Sequence, residues 1–301
     1  MNTTILLYLA ILIATGLLFG KIAKYLKLPN VTGYLVGGLI LGPSILNVIP
    51  EGTIHDFTII STVALGFIAF SIGTEMKISY FKRVGATPIW IAVFEALFGV
   101  LVTLVAIILF FVIKGEMSMI NFRFSLVLAA IAAATAPAAT IMVVRQYKAK
   151  GKFTETLLSV VALDDSVAII LFGIFVAVAN ALGDTASTTP LWLQIANPFI
   201  EIVVSLGIGS VMGILLTLGC KWFTGRGNRI SLSIVIIFLT IFLAEWLHAS
   251  PLLAAMMLGA VFGNVSSKVE DVNGLLYFIT SPIFIMFFVL SGAELNISVL
   301  G

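Results

Sequence analysis

Charge is scarce in this chain. Only 10% of its 301 residues are Asp, Glu, Lys or Arg, against about 25% in an ordinary soluble domain, so the composition excludes a water-soluble globular protein. Cysteine is scarcer still. Cys220 stands alone, which excludes a disulfide within the chain and any multi-cysteine metal site; neither a structural metal nor a cofactor is expected. The two histidines, His55 and His248, fall at the ends of apolar runs and carry no assigned role. Basic residues are missing ahead of the first apolar stretch, Ile5 to Phe19, and no small-residue cleavage site follows it. The stretch therefore reads as a retained first helix rather than a signal peptide. Nucleic acid is not an expected partner, because the net charge of +2 comes from basic residues that mark membrane topology. The glycine run Gly33, Gly37, Gly38, Gly42 lies inside an apolar span instead of a strand-to-helix turn, which excludes a phosphate loop and leaves close helix packing.

What the chain has in abundance is apolar residues, 60% of the total. Stretches long enough to cross a bilayer, about 20 residues each, fall near 4–23, 30–49, 57–76, 85–113, 124–144, 155–182, 198–220, 230–247, 251–265 and 276–293. The expected class is thus an all-α polytopic membrane protein with about ten spans. Fourteen of the sixteen lysines and arginines fall between spans 1 and 2, 3 and 4, 5 and 6, 7 and 8, and 9 and 10; Lys114 and Arg123 are the exceptions. This bias places those loops in the cytoplasm and the N-terminus outside.

Every lysine and arginine falls in a loop or at a span end, but acids lie well within spans. Asp164 and Asp165 sit in the middle of the sixth span, between Leu157 and Phe172, and Glu95 lies in the fourth. One charge at a bilayer midplane costs several kcal/mol, roughly 2.5–3.5 on insertion scales, so an intramembrane acid is a functional candidate by default. At 1.5 Å per residue Asp164 lies roughly 14 Å deep, near the middle of a core about 30 Å thick. Neighbours on a helix point about 100° apart, so one of the pair can face an ion site while the other meets an adjacent helix. A static ion pair would need a basic partner that the spans do not contain. A carboxylate that trades a proton for a cation is the chemistry of antiport.

The fifth span contains Thr135-Ala-Pro137-Ala-Ala-Thr140 within an alanine-rich run. Pro137 removes one helical hydrogen bond and clashes with the preceding turn. Either it kinks the helix, or it breaks it so that freed carbonyls and the hydroxyls of Thr135 and Thr140 line a midplane ion site. Thr135 lies roughly 18 Å deep from the opposite end, level with Asp165, which favours a shared site. Glu95 reads equally as a cross-helix hydrogen-bonding group or a member of that site. Glu75 and Glu294 read as interfacial caps.

Those two glutamates belong to an internal repeat. A Gly-(Thr/Ala)-Glu-(Met/Leu)-x-Ile pattern ends the third span at Gly73 and the tenth at Gly292, an offset of 219. Gly38 and Gly42 in the second span are echoed by Gly259 and Gly263 in the ninth, an offset of 221. With odd and even spans running in opposite directions the repeats are inverted, the architecture of secondary transporters. The counterparts of spans 4 to 6 would follow Gly301, so residues 1–301 are expected to form one transmembrane exchanger domain that lacks its last three helices.

Four segments, in this order, resemble the bacterial monovalent cation:proton antiporters of the second cation/proton antiporter family. They are Leu28-Pro-Asn-Val-Thr-Gly33 through Gly42-Pro43, Thr135-Ala-Pro137, Leu163-Asp164-Asp165, and Ser281-Pro-Ile-Phe-Ile-Met-Phe-Phe288 with Gly292. The resemblance implies an elevator-type antiporter of thirteen helices, of which ten are present, working as a homodimer in the bacterial inner (plasma) membrane. It implies that Asp165 carries Na+ or K+ and H+ in competition, and that Asp164 pairs with a lysine on a later helix. Relatives gated by glutathione carry glutamine at the first acid, so Asp164 argues against that potassium-efflux group. The alternative of nearest architecture is a sodium-coupled solute symporter. A fold-retaining sensor is a further alternative, and an intramembrane aspartyl protease is disfavoured because adjacent acids on one helix cannot share a water between facing helices.

Overall fold

The computed structural model describes residues 3–76, 78, 85–135, 137–182 and 191–296, and every regular element among them is an α-helix. In chain order these are α1 (Thr3–Tyr25), α2 (Asn30–Leu41), α3 (Glu51–Asp56), α4 (Thr58–Glu75), α5 (Thr87–Ile113), α6 (Met119–Ile131), α7 (Pro137–Gln146), α8 (Lys152–Ala181), α9 (Leu191–Trp222), α10 (Arg226–Trp246), α11 (Pro251–Val265) and α12 (Val269–Ala293). Within α1, α5, α9, α10 and α12 lie segments long and apolar enough to cross a membrane; α2, α4, α6 and α11 are shorter apolar helices. Local signals set several of the ends. The hydroxyls of Ser118 and Ser250 accept hydrogen bonds from the third residue on, capping α6 and α11, and Pro88 and Pro251 occupy first-turn positions of α5 and α11, where no amide donor is needed.

Several spans differ from their sequence outline, among them the second, the tenth and the fifth. The second, expected over 30–49, is helical only to Leu41. Gly42 is extended at φ −67° and ψ 175°, because the ring of Pro43 disfavours the helical region in the residue before it. The tenth, expected from 276, begins at Val269, and its first turn holds Glu270 and Asp271; carboxylates there complement the helix dipole, so polarity in that segment does not prevent a helix. The fifth, expected as 124–144, is two helices.

Two apolar clusters organise the packing. The larger draws on α2, α4, α9, α10, α11 and α12, with Phe70, Phe262, Leu258, Ile237 and Leu216 at its centre. The smaller is alanine-rich, with Ala96 and Val100 of α5, Ala129 of α6, Ala133 just beyond it and Ala168 of α8. Small side chains there let the helices approach closely. Val161 of α8 and Ile141 of α7 belong to the larger cluster. Helix α8 therefore touches both clusters, the larger through Val161 and Ile169 and the smaller through Ala168, and Asp164 lies between those contacts.

The repeat noticed in the sequence is a repeat of contacts. A Cβ on Gly38 would run into the carbonyl of Val289, and one on Gly292 into that of Leu35, so α2 crosses α12 at backbone contact. In the same way a Cβ on Gly259 would meet the carbonyl of Phe70, and one on Gly73 that of Met256, so α11 crosses α4. Methyls on Gly42 and Gly263 would sit 2.6 and 2.7 Å from the carbonyl oxygens of Ala293 and Thr74. The offsets of 221 and 219 carry each of these contacts onto its mate. Each repeat thus packs its glycine-spaced helix on the Gly-Glu helix of the other repeat. Within each crossing contacts advance together along both chains, Gly38 then Gly42 against Val289 then Ala293, so the paired helices run in the same sense, as alternating spans require. The ends match too: Ser44 Oγ donates to the Leu295 carbonyl (2.6 Å), and Asn264 Nδ2 to that of Met76 (2.7 Å).

Candidate functional site

The fifth span is interrupted just before Pro137. Ala132, Ala133 and Ala134 donate to the carbonyls of Ala129, Ala130 and Ile131 at 3.0–3.2 Å, so the end of α6 tightens to three-residue turns before the chain leaves the helix. Pro137 then opens α7, a position where its missing amide proton costs nothing. Gly99 of α5 makes room for the break: a methyl there would stand 3.1 Å from the Ala132 carbonyl oxygen.

Asp164 lies against this break. Its side chain is 1% exposed, and its Oδ2 accepts two hydrogen bonds from one residue: the Thr135 amide at 3.1 Å and the Thr135 hydroxyl. Its Oδ1 is buried and, among the described residues, has no hydrogen-bond partner. Among the described residues no lysine or arginine pairs with it. The sequence leads one to expect Asp164 on an open groove; the structure instead closes it in. Thr135 holds the carboxylate directly, and Thr135 is itself exposed, as are Ala132 and Ala134 of the break.

The equal depths in the sequence pair Thr135 with Asp165; the structure shows Thr135 holding the neighbouring Asp164. The backbone of Asp165 continues α8, while its side chain lies outside the described residues, as does that of Pro137. Thr140 lies within α7, partly exposed. Glu95 is exposed on α5, one turn before Gly99 and so on the face turned to the break, but its carboxylate is not joined to Asp164. Chemically, the arrangement is a carboxylate with one oxygen fixed by two donors and the other buried without a partner among the described residues. Such an oxygen calls for a proton or a cation. Sequence reasoning did not single out Gly99, because a lone glycine in an apolar helix carries no pattern of its own.

A broken helix crossing an acidic one, within two interlocked repeats, is the arrangement against which relatives can be compared. Residues 9–301 match the model of the transmembrane sodium/hydrogen exchanger family. The chain belongs to that family. As a sodium/hydrogen exchanger family member it is placed among transporters, not enzymes. It is 26% identical over 278 residues to the Na(+)/H(+) antiporter NhaG of Bacillus atrophaeus, covering 87% of this chain and 49% of that protein. It is 22% identical over 310 residues to Cation/H(+) antiporter 15 of Arabidopsis thaliana, covering 97% of this chain and 36% of that one. The chain thus spans half the length or less of these curated relatives. Among solved structures the sodium proton antiporter MjNhaP1 from Methanocaldococcus jannaschii superposes with a TM-score of 0.69 at 22% identity, covering 98% of this chain and 71% of that one. That likeness shows a shared fold.

Proposed function

We propose that this protein exchanges a monovalent cation, Na+ or K+, for protons across the bacterial inner membrane, with Asp164 and Asp165 as the midplane site where the two compete. The observation that carries the reading is the buried Asp164 carboxylate, held by Thr135 at a helix break with its second oxygen unpartnered. The names of the relatives, Na+/H+ and cation/H+ antiporters, support the same direction. Asp165 is the carrier in this reading, and Thr135, Pro137, Thr140 and Glu95 line its approach. The residue reaches each side in turn by an elevator movement of the α5, α6 and α8 body against the larger cluster. The N-terminus lies outside, and the working unit is a homodimer.

The decisive experiment is Asp165→Asn in the protein as its gene encodes it, assayed in everted vesicles by dequenching of a pH-sensitive dye on adding NaCl or KCl. Exchange is expected to fall to the background of vesicles lacking the protein, while membrane abundance is unchanged. Near-wild-type exchange would remove Asp165 from its role.

A further inference from the structure

The two halves of the broken span are held by different partners. On the α6 side Arg123 Nε donates to the Ala179 carbonyl near the end of α8 at 2.7 Å, and Ala129 and Ala133 pack in the smaller cluster. On the α7 side Ile141 packs in the larger cluster, and the last residue of the helix, Gln146, reaches across to α2. Gln146 Oε1 accepts from the Asn30 amide at 2.9 Å. Asn30 is the first residue of α2, and Pro29 before it supplies no side-chain cap, so this amide is one of the orphan donors of a helix start. Gln146 supplies the missing acceptor from another part of the molecule.

We propose that Gln146 is a positioning residue that latches the α7 half of the broken span to α2 in one of the two transport states. This rests on the antiport reading, since a latch matters only if the site changes sides. Two features make the contact reversible rather than permanent. It consists of one hydrogen bond, and it is offset by a cost in the same place: the Asn30 side chain meets Tyr34, but among the described residues its Oδ1 is buried without a partner. Opening the contact gives both the Asn30 amide and that stranded oxygen access to water, so closed and open states stay close in free energy. A static brace would satisfy both groups.

Removing the acceptor should release the closed state and raise the population of the other. Apparent affinity scales with the fraction of binding-competent state, so the two faces of the membrane must respond in opposite directions. In Gln146→Leu the KM for Na+ is expected to fall at one face and rise at the other, the ratio of the two KM values changing about three- to tenfold, the range one hydrogen bond accounts for. The two faces are read by comparing everted with right-side-out vesicles. Gln146→Glu keeps an acceptor oxygen and should restore the wild-type asymmetry, and Asn30→Ala, which removes the stranded oxygen, should shift both KM values in the opposite sense to Gln146→Leu. KM values that move together at both faces, or Leu and Glu variants that behave alike, overturn the latch. A wild type that exchanges from both faces with unaffected variants defeats the latch alone; a wild type inert from both defeats the antiport reading and the latch with it.

Discussion

Thr135 spends both its backbone amide and its hydroxyl on a single oxygen of Asp164. Hydrogen bonds to charged groups contribute about 1.5–3 kcal/mol, so the hydroxyl is the part of the site most open to a clean test. Thr135→Val keeps the shape and the amide and removes that donor. On the antiport reading its KM for the transported cation should change on the order of tenfold or more, while Thr135→Ser stays near wild type; equal effects of the two would mean that the hydroxyl is idle. The acid at 164 was legible in the sequence, since any carboxylate in an apolar run of that length stands out. Which oxygen is held, and by what, was not. That depends on the rotation of α8 about its axis and on how far the break unwinds, and neither is written in residue spacing.

At the scale of elements the glycines decide. Gly38 and Gly259 allow the two repeat-related crossings because a side chain at either would occupy the place of a carbonyl on the partner helix. Overpacking of this kind costs about 1–3 kcal/mol, and here the obstacle is backbone, which cannot swing aside. Gly38→Ala and Gly259→Ala should therefore lower the melting temperature of the detergent-solubilised protein by similar amounts. Gly207→Ala, in α9 with nothing within 4 Å of its added methyl, should leave it unchanged or raise it. Unequal losses at 38 and 259 would show that the crossings are not equivalent. The offset between the glycine motifs was visible in the chain. That the repeats exchange partners, each packing on the other, was visible only once α2 lay on α12 and α11 on α4. The same scale explains the spans drawn too long or too short: apolarity continues past Leu41 although Pro43 ends the helix, and helicity continues back to Val269 although apolarity has stopped.

For the molecule as a whole, the relevant fact is that the break and Asp164 lie where two apolar clusters meet. Ala133 and Ala168 belong to one cluster, Ile141 and Val161 to the other. A site at a seam between packed bodies can be exposed to either side by sliding one body on the other without opening a core. If proton and cation compete there, lowering the pH should raise the apparent KM for Na+ and leave the maximal rate unchanged, because protonation removes free sites that excess cation recovers. A maximal rate that falls with pH at constant KM would instead place the titrating group outside the binding site.

Composition and pattern by themselves determined that this is an all-helical membrane protein, where its helix-disturbing proline and its acids lie along the chain, and that two stretches of it are copies. These follow from one-dimensional quantities: the cost of charge in lipid, the missing amide of proline, the spacing of glycines. Tertiary structure decided the partnerships. It set Thr135 on Asp164, Gly99 against the Ala132 carbonyl and Gln146 on the first amide of α2. The physical reason is that hydrogen bonds and steric contacts act over a few ångströms, between groups 29, 33 and 116 residues apart in the chain, and only the packing of helices brings such groups within reach.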